Sequence, residues 1–110
     1  MLFRSTVQLI VHKGAGRDRS APRAEDASCH YPMGLGEDLD DALAQAVKET
    51  AAFLRHHAGL STAEAYALCS LAVDFRIGEA VNNVVMVYGV VPKHLFRRKT
   101  GYWATNTGDE

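Results

Sequence analysis

The stretch that decides the fold is "EDLDDALAQAVKETAAFLRHHAG", which spans residues 37–59. Its apolar side chains keep the spacing of a helix with one buried face. Acidic residues crowd its start, and Arg55, His56 and His57 crowd its end, an order that complements the helix dipole. Gly59 is expected to end the helix in a left-handed conformation. The apolar positions with helical spacing are Leu39, Leu43, Ala46, Val47, Phe53 and Leu54.

A second helix and two strands are predicted after this helix. "STAE" at residues 61–64 predicts a capping box at the start of the second helix. "FRIGEAV" at 75–81 alternates as a strand does, and "NN" at 82–83 is typical of a turn. "VVMVYGVV" at 84–91 is apolar throughout, which predicts a strand covered on both faces. The small apolar face of the second helix consists of Ala65, Leu68, Cys69 and Ala72.

Upstream of the first helix the pattern is less regular. "STVQLIV" at 5–11 predicts a strand, and residues 12–28 predict a long loop because Gly, Pro and charges dominate them. "CHYPMGL" at 29–35 predicts a short strand, which Pro32 would confine to a sheet edge or a bulge. The order of elements indicates an α+β fold (α/β layered), with two helices packed on a small mixed sheet.

The length of 110 residues corresponds to one domain, which we place at residues 1–96. Residues 97–110 form a basic and then polar tail, in which Tyr102 and Trp103 are either a docking patch or packed back on the domain. The net charge of -1 argues against a nucleic-acid partner, and no apolar run approaches the ~20 residues of a membrane span, so we expect no membrane partner. Two cysteines are too few for a disulfide scaffold, and the start lacks a signal-peptide pattern, so we expect a cytoplasmic protein.

Asp74 is the first candidate for a catalytic residue. It lies with Arg76 inside the otherwise apolar run "SLAVDFRIGEAV", residues 70–81. Two positions apart on a strand, the two side chains share one face of the sheet. One interpretation is structural, either an ion pair or an aspartate that ends the helix and forms a hydrogen bond with the next turn. The other is that Asp74 borders a cleft, where a carboxylate can orient a ligand or a water.

His30 is the second candidate catalytic residue, because it lies beside the predicted edge strand and near an aromatic residue. A structural histidine is the alternative. Adjacent His56 and His57 point about 100° apart on a helix and do not share a metal-binding face. Cys69 has no nucleophile signature around it and is expected to be a core thiol. No spacing of base and nucleophile supports a small hydrolase built from His30, Asp74 and Cys69.

A set of short segments between residues 33 and 96 carries a family resemblance. The segments are Met33-Gly34, Asp38 to Ala42, Gly59-Leu60-Ser61, Glu64-Ala65-Tyr66, Ser70, Ala72, Asp74 to Ile77, Pro92-Lys93 and Phe96. In this order they resemble the C-terminal end of the acetamidase/formamidase family. "VQLIV" and "APRAED" are similar to segments that precede it in the family, which extends the likeness to residues 6–96.

The resemblance implies an amide hydrolase that converts formamide, acetamide or related short amides to the acid and ammonia. It also implies a divalent metal, zinc or calcium, which polarises the carbonyl and activates water. The upstream β-rich part that carries most of the family's metal site has no counterpart in these residues. The resemblance places Asp74 facing that part, with Arg76 holding the strand, and implies no cofactor in this chain alone.

Two functional hypotheses follow. The first is a truncated or stand-alone relative of a short-chain amide hydrolase, which is not catalytically complete alone and needs a complementary amidase half. The second is a non-catalytic oligomerising or ligand-binding module that kept the scaffold. In both, apolar faces stay uncovered in a single copy, so we expect a homo-oligomer, a dimer or larger.

Overall fold

The computed structural model of the chain describes residues 4–17 and 19–96. The described residues form an α+β fold, with two helices packed on a four-stranded sheet, as the sequence predicts. The elements are β1 (Arg23–Glu25), β2 (Cys29–Gly36), α1 (Leu39–Ala58), α2 (Thr62–Ala72), β3 (Asp74–Glu79) and β4 (Val85–Pro92), followed by a 3₁₀ turn (Lys93–Leu95). The tail predicted at 97–110, with Tyr102 and Trp103, lies outside the described residues.

The start of α2 and the end of α1 lie where the sequence predicts. The carboxylate of Asp38 accepts a hydrogen bond from the backbone N–H of Asp41 at 2.8 Å, which satisfies one of the open donors at the start of α1. Gly59 ends α1 in the left-handed region, with φ at 69°. The capping box of α2 is complete, because Ser61 and Glu64 each accept the other's backbone N–H.

The sheet has the strand order β1-β2-β4-β3, and its described neighbours are all antiparallel. The expectation of a mixed sheet is therefore wrong. The two helices connect β2 to β3, which run in the same direction, but β4 lies between them and is antiparallel to both. Strands of like direction are thus never neighbours in this sheet.

The edge position predicted for residues 29–35 is also wrong. β2 is an interior strand, and β1, which lies within the predicted loop 12–28, pairs along its other side. Pro32 has no N–H to donate, and the paired positions between β2 and β4 skip Tyr31 and Pro32. The ladder accommodates proline through this local gap, and β1 was missed because it is only three residues long and polar.

Residues 5–11, predicted as a strand, form no strand in the described structure. Val7 and Leu9 are 78% and 91% exposed. In the described structure this segment pairs with neither edge strand of the sheet, β1 or β3. None of the described helices combines the length and the apolar character that crossing a membrane requires.

The core lies between the helices and one face of the sheet. α1 packs against β2 and β4, and its residues Phe53 and Leu54 are among the largest fully buried side chains. Cys69 of α2 is buried in the same cluster, which confirms the prediction of a core thiol. Burial raises the pKa of this thiol, so the reactive thiolate is disfavoured.

Only one face of β4 is covered by described helices. Val85, Val87 and Val91 are buried on the helix side, and the alternate residues are only partly buried. The prediction of a strand covered on both faces is therefore wrong for the described part of the chain. We call the other side the outer face; its apolar and aromatic residues are Tyr31, Met33, Leu35, Met86, Tyr88 and Val90.

The close approach of β2 to α1 gives a test of the fold. A Cβ at Gly34 would overlap the backbone of Ala42 and Ala46. Gly34→Ala should lower the free energy of unfolding by about 3 kcal/mol, because neither backbone can move without disturbing the core. Urea unfolding followed by circular dichroism measures this change. Gly16→Ala is the matched control, since a Cβ there meets nothing within 4 Å. Equal stability of the two variants would contradict the packing.

Candidate functional site

The structure gathers aromatic, histidine and arginine side chains where β1 and β2 meet the last turns of α1. The ring of His30 lies 4.6 Å from that of Phe53, and Phe53 stacks on His57 with centroids 4.1 Å apart. The guanidinium carbon of Arg23 lies 5.2 Å from the centroid of Phe53, a cation–π contact. His57 Nδ1 is 3.2 Å from the carbonyl oxygen of Phe53, which fixes the ring at the helix end.

These side chains enclose a cavity, which we call the arginine cavity, of about 150 Å³. The residues that line it are Arg19, Arg23, Ala24, Glu25, His30, Phe53 and His57. A second cavity of about 310 Å³ adjoins it and shares Arg19, Arg23 and His57. The two together form a basic cleft beside the C-terminal end of α1.

An ion pair closes one side of the arginine cavity. The Lys93 ammonium donates to a carboxylate oxygen of Glu25 at 2.7 Å, and His30 Nδ1 lies 3.9 Å from the same oxygen. β1 supplies Glu25, and the 3₁₀ turn supplies Lys93, whose backbone N–H donates to the carbonyl of Ser28 at 2.8 Å. The three polar groups thus come from separate parts of the sequence.

His30 is only 6% exposed, and this burial determines its charge. Burial lowers the pKa of His30 to about 4, against the raising effect of Glu25, so the imidazole is neutral at neutral pH. A general base works best with a pKa near the operating pH, and this ring is far from that condition. The ring contacts with Phe53 and Phe96 give His30 a packing role in the cavity wall, and its catalytic role stays a prediction.

Asp74 lies on the opposite side of the sheet from His30. His30 pairs with Val91 of β4, whose side chain is buried under the helices. Asp74 pairs with the adjacent residue of β4, Val90, whose side chain lies on the outer face. Asp74 is exposed, and so is Arg76 on the same face. The structure therefore does not bring the two predicted catalytic residues together.

The ion pair that was the alternative interpretation of Asp74 is absent from the described structure. Asp74 and Arg76 share the outer face, as predicted, but no carboxylate–guanidinium contact within 4.0 Å joins them. Asp74 is thus a carboxylate on an exposed strand, beside the apolar residues of the outer face. Its catalytic role stays a prediction.

A hydrogen-bonded turn fixes β1 against β2. Asp26 Oδ1 accepts the backbone N–H groups of Ser28 and Cys29, each at 2.8 Å, and Tyr31 donates its hydroxyl to Asp26 Oδ2 at 2.6 Å. The hydrogen bond to Asp26 raises the pKa of Tyr31, and the same contact lowers the pKa of Asp26. These bonds set the register that places Glu25 opposite His30.

The zinc or calcium implied by the family resemblance has no donor set in the described residues. Within 4–17 and 19–96, no three His, Cys, Asp or Glu side chains converge in a way that could hold a metal ion. We therefore route no chemical step through a metal bound by this part of the chain.

Sequence reasoning assigned no site role to Arg19, Arg23 and Glu25, which line the cavity, or to Lys93, which pairs with Glu25. Arg23, Glu25 and Lys93 lie in the "APRAED" and "PK" segments that resemble the family, and Arg19 lies in neither. The sequence alone could not place them together, because their meeting depends on the pairing of a three-residue strand.

Comparison with known proteins relates this fold to an amide hydrolase. A crystal structure of an acetamidase from Bacillus halodurans matches 69% of this chain at 30% sequence identity, with a TM-score of 0.65. The match covers 26% of that acetamidase, so the chain spans about a quarter of its length. No protein-family model and no curated protein matches the chain. The fold of the matched part is acetamidase-like.

The low pKa of His30 predicts how stability depends on pH. Because the folded value is about 4 and the ordinary value is 6.5, the unfolded chain binds more protons between these values. The contribution of neutral His30 is fully present above pH 6.5 and is lost as the pH falls toward 4, by up to about 3 kcal/mol. His30→Gln should therefore flatten this fall in the free energy of unfolding, measured by urea titration at each pH.

His12→Gln is the matched control for this experiment, since His12 is exposed. It should leave the pH dependence of the parent chain unchanged. An imidazole of His30 that titrates near 6.5 in a proton NMR titration would contradict the prediction.

Proposed function

We propose that this chain is one part of a hydrolase for short linear amides, and that it acts when a complementary part covers the outer face of its sheet. The reaction is the addition of water to an amide carbonyl, with release of the carboxylic acid and ammonia. The likeness to an acetamidase of which the chain spans about a quarter supports the amide substrate class.

The observation that carries the proposal is the outer face. β4 is apolar on both sides, yet the described helices cover one side only. Tyr31 and Tyr88 contact each other there edge to face, with centroids 6.0 Å apart, and Leu35 is 41% exposed. An apolar surface of this kind is typical of an interface. The part of the acetamidase scaffold that this chain does not match is the natural candidate to cover it.

Asp74 would then lie at the border between the two parts. It stands on β3, an edge strand, and faces the side on which the complementary part would pack. At such a border a carboxylate can orient a water or a ligand group supplied by the other part. In this proposal the metal ligands belong to the complementary part, and the chain contributes Asp74 and a wall of the site.

Complementation tests the proposal directly. The purified chain is mixed with the Bacillus halodurans acetamidase from which the matched quarter has been deleted. Ammonia release from acetamide and formamide is measured with and without added zinc or calcium. We expect turnover from the mixture and none from either component. Turnover by this chain alone would contradict its incompleteness, and a mixture that forms a complex without turnover would contradict the hydrolase.

An Asp74→Ala variant in the same assay tests the assigned residue. Because Asp74 is exposed and makes no ion pair in the described structure, the variant should fold normally and lower the turnover of the mixture by about tenfold or more. Asp40→Ala is the matched control, an exposed acid at the start of α1. Equal turnover of the two variants would remove Asp74 from the mechanism.

Self-association is the second candidate function, and the same outer face favours it. Without a complementary part, a second copy is the available cover for the apolar surface. We therefore expect a homodimer or larger oligomer by size-exclusion chromatography with light scattering. Leu35→Lys on the outer face should shift the mass toward that of the monomer. Leu71→Lys on α2, at a leucine 85% exposed, should not. A monomeric parent chain would exclude this function.

A further inference from the structure

We propose that the arginine cavity is a binding site for a small oxyanion, a carboxylate or a phosphate, held by the guanidinium groups of Arg19 and Arg23. This site lies on the helix side of the sheet. It does not depend on the proposed hydrolase, whose face is the outer one.

The first support is an excess of positive charge in the cavity wall. Arg19 and Arg23 both line it, and Glu25 is the single acid among the lining residues. Glu25 is already neutralised by Lys93 at 2.7 Å. His30 and His57 have pKa values lowered by burial and add no lasting positive charge at neutral pH. Two guanidinium groups therefore line the cavity, and the one carboxylate among its lining residues is already paired with Lys93.

The second support is an unsatisfied hydrogen-bond donor on the Arg23 side chain. Its Nε is buried and has no hydrogen-bond acceptor. An unpaired buried donor costs free energy that an acceptor would recover. Burial and then the nearby charge of Arg19 lower the pKa of Arg23, against a smaller raising effect of Glu49. The two like charges are thus held close together in a setting that an anion would relieve.

Glu49, an acid outside the cavity lining, offsets part of the positive charge at Arg23. It is buried on α1, one helical turn before Phe53, and its Oε1 accepts hydrogen bonds from the backbone and hydroxyl of Ser20. In the described part of the chain it forms no ion pair within 4.0 Å with either arginine and does not line the cavity. Its Oε2 is buried without a hydrogen-bond partner, as is Arg23 Nε. Its attachment to Ser20 instead fixes the segment that presents Arg19.

The size and walls of the cavity define the class of ligand. A volume of about 150 Å³ admits a ligand of only a few non-hydrogen atoms. A planar carboxylate or a phosphate matches the fork of a guanidinium and is bound by paired, charge-assisted hydrogen bonds. Larger ligands would extend past His57 into the adjoining cavity.

NMR titration of the full chain tests the site. Sodium acetate and inorganic phosphate are added in separate experiments, with sodium chloride at equal ionic strength and neutral acetamide as reference solutes. The signals followed are the Arg Nε–H groups and the imidazole protons of His30 and His57. We expect saturable shifts with acetate or phosphate, and the more potent of the two identifies the ligand class. Equal effects of chloride or acetamide would overturn the proposal.

Two variants separate the site from general charge effects. Arg19→Gln removes one of the two charges, and Arg23→Lys keeps the charge but loses the planar fork, so each should weaken binding by about tenfold or more. Arg76→Gln removes the same charge from the outer face and should leave the affinity unchanged. Unchanged affinity in both cavity variants, or an equal loss in Arg76→Gln, would overturn the site.

Discussion

The contact between α1 and β2 is the constraint on which the rest of the structure depends. Gly34 allows the strand to lie directly against the helix backbone at Ala42 and Ala46. Once this distance is set, the helix carries Phe53 to the other end of the same strand, where it meets His30. The cavity between β1 and α1 is therefore a consequence of the helix–strand packing, because small residues at one end bring the aromatic residues together at the other.

The helices were predictable because their signals are local. Gly59 and the capping box of α2 each act within a few residues, so the pattern alone predicts the end of α1 and the start of α2. Strand pairing is not local. β1 is short and polar, and its place beside β2 follows from the Asp26 turn, a set of hydrogen bonds that hydrophobic periodicity does not reveal.

Only single residues of the candidate site were predictable, because strand pairing is not local. His30 and Asp74 were identified from their surroundings in the sequence, but a strand alternates its faces, and a change of one residue in register reverses the side on which a residue lies. Asp74 pairs with Val90, and His30 pairs with Val91, so Asp74 and His30 lie on opposite sides of the sheet. The residues that do surround His30 come from β1, α1 and the 3₁₀ turn, which only the tertiary fold brings together.

The sheet therefore separates two kinds of surface. On the helix side, burial keeps His30 neutral and leaves two arginines around a small cavity, a setting that favours a negatively charged ligand. On the outer side, the apolar residues around Tyr88 and the exposed Asp74 favour a polypeptide partner. One layer of backbone, which includes β2 and β4, lies between the two surfaces. A hydrolase completed on the outer face could thus keep the cavity as a separate site, with its own ligand.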